Sequence, residues 1–142
     1  MVIRLAGGTG SGIFRKMLLP MTTLQTDRKA LLYRMYESIN ARDIEAVLDS
    51  MHHDVSWANG MEGGFVSGHE EIRQYWQRQW EYIDPHFKPV QCDAIGSGEV
   101  VVEVHQIIRD LLGNIISIKD VQHLFWFEEG YIRTMRILPM KA

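Results

Sequence analysis

The segment Tyr36–Trp80, YESINARDIEAVLDSMHHDVSWANGMEGGFVSGHEEIRQYWQRQW, constrains the fold most, because its order of signals admits few architectures. It carries the end of one amphipathic helix, a second short helix, a brief strand, a glycine-rich loop and a third helix. From Phe87 to Leu138 the chain is strand-like almost throughout. Helices with one apolar face, followed by a run of strands, bury that face by packing against the sheet. The expected class is α+β, with an antiparallel or mixed sheet curled around a cavity lined by three N-terminal helices.

The helices follow from 3.6-residue periodicity. Leu31, Leu32, Met35, Tyr36 and Ile39 form one stripe, with Thr26 or Asp27 as the expected cap. Ile44, Val47, Leu48 and Met51 form a second stripe after Asp43, another good cap. Ser67-Gly68-His69-Glu70 fits a capping box, and Ile72, Tyr75, Trp76, Trp80 and Ile83 continue the third helix. Most of these aromatics are expected in the core. Strands are expected at Phe87–Ile95, Glu99–Arg109, Ile115–Phe127 and Tyr131–Leu138, each separated by turn residues.

The turn Asp110-Leu111-Leu112-Gly113 bears on chemistry. Asp at its first position and Gly at its fourth favour a type I turn with a glycine bulge, so Asp110 opposes Asn114. Carried along both strands, that register puts Glu103, His105, Lys119 and His123 on one face. A one-residue change would instead set His105 beside Asp120 or Gln122, away from His123.

A chain of 142 residues with 46% hydrophobic content supports one complete core. A net charge of -3 gives no basic footprint, so no nucleic-acid partner is expected. No apolar run approaches the ~20 residues that span a bilayer, so no membrane partner is expected either. The lone Cys92 cannot form an internal disulfide, and a cytoplasmic protein is expected. Residues 1–21 read as a flexible leader and 22–142 as the domain. Gly7, Gly8, Gly10 and Gly12 lack the following Lys-Ser/Thr pair of a phosphate loop. His52-His53-Asp54 looks like a metal cluster, but neighbours on a strand point to opposite faces, so no metal site is expected.

This order of elements, over about residues 27–138, resembles the nuclear transport factor 2-like superfamily, with its SnoaL-type polyketide cyclases, steroid isomerases and non-catalytic binding domains. The resemblance implies a cone-shaped fold with an internal pocket. Matching INARD to the family's helix turn puts Met35 where isomerases carry an oxyanion-hole tyrosine and Asn59 where they carry the base. A thioether donates no hydrogen bond and an amide is no useful base, so isomerisation by that mechanism is disfavoured. Matching HLFWFEEGYI puts His123 at the position of the late-strand aspartate.

His123 is thus the leading catalytic candidate, as acid, base or hydrogen-bond donor, with His105 and Glu103 tuning it. The resemblance sets Trp57, Asn59 and Met61 at the cavity mouth, and Met35 and Phe125 complete the expected ligand contacts. The Gly60–Gly64 loop reads as a lid or a plain turn. The expected ligand is a small hydrophobic molecule, with no cofactor. Two readings stand: a cofactor-free acid–base enzyme on a carbonyl compound, or a non-catalytic ligand-binding or dimerisation domain. A homodimer through the more apolar sheet face is expected.

Overall fold

The computed structural model describes residues 22–96 and 98–139. The expected leader, its glycines and its boundary at residue 21 lie outside the described residues. Three helices, α1 (Thr23–Asn40), α2 (Ile44–Asp49) and α3 (Gly68–Tyr82), pack on one six-stranded sheet. The strands are β1 (Met51–Ala58), β2 (Phe65–Ser67), β3 (Ile83–Ile95), β4 (Glu99–Asp110), β5 (Ile115–Glu128) and β6 (Tyr131–Leu138). Their order is β2-β1-β6-β5-β4-β3, with only β1 and β6 parallel. The sheet is therefore mixed and unclosed, as expected for this α+β class. No helix among the described residues is long and apolar enough to cross a membrane.

Capping explains where the helices begin. Thr22, rather than Thr26 or Asp27, caps α1: its hydroxyl accepts the Gln25 amide, and Gln25 Oε1 accepts the Thr22 amide. Asp43 caps α2 as expected. The expected Ser67 capping box does not form. The Ser67 side chain makes no cap bond, and its amide donates instead to Glu71 Oε1 at 2.7 Å.

The third helix ends at Tyr82, so Ile83 opens β3 instead of extending the helical stripe. Pro85 and Pro89 then sit inside a strand. They are tolerated because β3 is an edge strand paired only with β4, where a missing amide breaks no second ladder. Asn40 ties the end of α1 to this edge. Its Nδ2 donates to Phe87 O at 2.8 Å, and its Oδ1 accepts the Phe87 amide at 2.9 Å.

The β4–β5 hairpin corrects the expected register. The turn itself forms as expected: the Asp110 amide donates to Asn114 O at 2.8 Å, and Gly113 takes a φ of 94° that favours glycine. Arg109 pairs with Ile115, yet Ile108 pairs with Ser117. Ile116 is an extra residue, a bulge that shifts pairing by one. From there His105 faces Asp120 and Val102 faces His123. Even-numbered residues of β4 now share a face with odd-numbered residues of β5. That face meets the helices, and the core lies between them: Leu32, Met35, Tyr36 and Ile39 of α1, Ile72 and Trp76 of α3, and Val102, Val104, Phe125, Ile132 and Met135 of the sheet.

Candidate functional site

A cavity of about 100 Å³ opens between α3, the end of β1 and the concave face of the sheet. Its walls are mainly aromatic and aliphatic, with Trp57, Trp76, Phe87, Ile39 and Val121 among them. The polar lining side chains are those of Tyr36, Tyr75, Gln79, Gln106, Lys119 and His123. Met61 and Lys119 are also exposed to solvent and mark its open side.

Its polar centre is a buried pair. Tyr36 reaches from α1 and His123 from β5, and Tyr36 Oη lies 2.6 Å from His123 Nδ1. Phe125 meets both rings edge-on, at 6.3 and 6.2 Å between centroids. Burial pushes the His123 imidazole down to about 4 and raises the Tyr36 phenol well above its ordinary value. Both groups are therefore neutral at physiological pH.

The donor accounting selects a tautomer. If Nδ1 carried the imidazole proton, the phenolic proton of Tyr36 would have no protein acceptor. Fewer groups are left unpaired when the phenol donates to Nδ1. His123 then carries its proton on Nε2, which has no protein partner among the described residues. Tyr75 adds a second buried phenol, and burial raises it above its ordinary value.

The other expected residues scatter. The bulge at Ile116 turns Glu103 and His105 to the opposite sheet face from His123. His105 Nδ1 lies 2.8 Å from Asp120 Oδ1 there, a partly exposed pair outside the cavity. Neither residue can tune His123 through contact. Trp57 and Met61 line the cavity; Met35 and Phe125 are buried in the core behind it. Asn59 organises the neighbouring loop. Its Oδ1 accepts the Met61 and Glu62 amides at 3.0 and 2.9 Å, while Gly63 and Gly64 close the turn through its backbone.

Tyr36 was missed as a site residue, although its place in the helical stripe was plain. It is the neighbour of Met35, the position the family alignment selected. Gln79, Gln106 and the wall residues Trp76 and Phe87 carry no signal that separates cavity from core in the sequence alone.

His52 has distant partners that the sequence did not reveal. Glu128 and Glu129, at the β5–β6 turn, bring carboxylates to 3.7 and 2.8 Å from its Nε2. Chemistry argues against a metal in this group. His52 Nδ1 accepts the Asp54 amide at 3.0 Å, so the proton of a neutral ring sits on Nε2 and occupies the nitrogen a metal needs. The ring instead donates to Glu129 Oε1.

With this geometry in view, the comparisons decide the family. The SnoaL-like domain model matches residues 32–135. The chain belongs to the SnoaL-like domain family. Among solved structures, it is similar to an NTF2-like protein of unknown function from Burkholderia pseudomallei, at 23% identity and a TM-score of 0.69 over 79% of this chain and 89% of that one. TerC, co-crystallised with polyporic acid, is similar at 24% identity and a TM-score of 0.69, over 79% of this chain and 90% of that one. An LEH-like epoxide hydrolase of M. tuberculosis is similar at 16% identity and a TM-score of 0.68, over 79% of this chain and 81% of that one. These likenesses show the nuclear transport factor 2-like fold. No curated protein matches.

Proposed function

We propose that this SnoaL-like domain performs cofactor-free acid–base chemistry on a hydrophobic carbonyl compound held in the cavity. The observation that carries the reading is the 2.6 Å contact between buried Tyr36 Oη and His123 Nδ1. Tyr36 holds the imidazole in the tautomer that offers Nε2–H. That N–H donates to the carbonyl oxygen, where negative charge grows as the α-proton passes to water at the open side and an enolate forms. A fixed donor in a largely apolar cavity stabilises such charge without reorganising. Because His123 stays uncharged, it polarises the oxygen as a neutral donor and not as a cation. Water addition, which the name of the M. tuberculosis neighbour brings to mind, has the same need for a donor at oxygen.

A second reading, binding without turnover, is favoured by one observation: among the described residues no Asp or Glu lines the cavity to take a proton from carbon. Exchange of α-protons in D2O separates the two. With acetophenone as probe, turnover predicts exchange above background that falls at least ~10-fold in Tyr36→Phe. A shifted His123 signal without exchange supports binding alone. Neither effect would overturn both readings.

The proposal includes a homodimer and a cytoplasmic setting. The convex sheet face carries Val101, Ile107, Ile118, Leu124 and Trp126 around the polar Glu103, His105, Asp120 and Gln122, and its apolar members would meet across the dimer. The lone Cys92 fits a reducing compartment.

A further inference from the structure

The lining of the cavity has a charge imbalance that selects ligands. Among the described residues no Asp or Glu lines it, and Lys119 is its one formally charged side chain. Lys119 makes no ion pair or hydrogen bond among the described residues, and its cross-strand neighbour Gln106 is neutral. Asp120, the nearest acid in sequence, lies on the opposite face and is engaged with His105. An unpaired ammonium beside a low-dielectric cleft concentrates anions there.

Size adds a second constraint. The cavity, at about 100 Å³, is smaller than the ~150 Å³ of an engineered cavity that holds benzene. It encloses at most a single ring or a short chain, and the rest of a ligand extends through the open side. Distance adds a third. Lys119 and His123 lie on one face of β5, four residues apart, so their Cα atoms are about 13 Å from each other. Even with the lysine bent inward, a ligand touching both must keep its two polar groups several ångströms apart.

We infer that the ligand is a monoanionic keto acid built on one ring, its carbonyl on His123 Nε2 and its carboxylate, on the far side of the ring, on Lys119. This rests on the reading of His123 as a carbonyl donor.

The test compares 4-acetylbenzoate with its neutral isostere 4-methylacetophenone, by calorimetry and by the His123 side-chain NMR signal. Wild-type protein is expected to bind the acid about tenfold more tightly, the size of one charge-assisted contact. The preference shrinks as salt rises. In Lys119→Met it disappears, and in Lys119→Glu it reverses; a retained His123 signal reports that each variant is folded. Equal binding of both probes by the wild type, with His123 shifted by each, overturns the keto-acid inference and leaves the carbonyl reading standing. Failure of both probes to bind overturns the two together.

Discussion

At the scale of single residues, the Tyr36–His123 pair links chemistry to stability. A histidine whose folded value lies near 4 and whose unfolded value is ~6.5 binds fewer protons when folded. Stability is then full above about pH 6.5 and is lost as pH falls toward 4, by roughly 3 kcal/mol from this group. Urea denaturation at pH 7.5 and 4.5 is expected to show this loss, and His123→Gln to flatten it. Tyr36→Phe leaves Nδ1 without its donor, a cost of about 1–3 kcal/mol. An unchanged urea midpoint for that variant would contradict the pairing. His123 was legible as a site because an imidazole on an otherwise apolar strand face stands out. Tyr36 was not, because a tyrosine in an apolar stripe gives the same pattern whether its hydroxyl is idle or paired.

Among the elements, one unpaired residue decides which side chains meet. The composition of the Asp110–Gly113 turn announced its geometry correctly. Ile116 looks like any other strand residue, yet it bulges and reverses the faces beyond it. Glu103 and His105 left the site for that reason alone. Local turn chemistry specifies the first pair of a hairpin; a bulge further along depends on packing that no short window contains. The start of β3 was obscured similarly, since Pro85 and Pro89 discourage a strand everywhere except at an edge. Asn40 compensates there by bonding both backbone groups of Phe87. Asn40→Ala is expected to destabilise the domain by about 2–3 kcal/mol, because it strands a donor and an acceptor together. Thermal melting checks this, and Asn40→Asp, which keeps the acceptor, should lose less.

For the whole molecule, the order of helices and strands was enough to place the chain in its superfamily, because few folds set three helices, the third after a short first hairpin, against a mostly antiparallel sheet. What the cavity selects was less legible, since it depends on which of many aromatic residues stop short of filling the core. The convex face supplies a prediction at this scale. The protein is expected to sediment as a dimer at micromolar concentration, and Ile118→Asp to shift it to monomer without loss of helical signal. A wild-type monomer would leave that apolar face without a partner copy.

The neutral Tyr36–His123 pair, with its proton on Nε2, carries the proposed chemistry. Long-range ¹H–¹⁵N correlation of the histidine rings reads tautomer and charge directly. His123 is expected to show the Nε2–H pattern and not to titrate between pH 5.5 and 8. A His123 that shows the Nδ1–H pattern, or that titrates near 6.5, would contradict it.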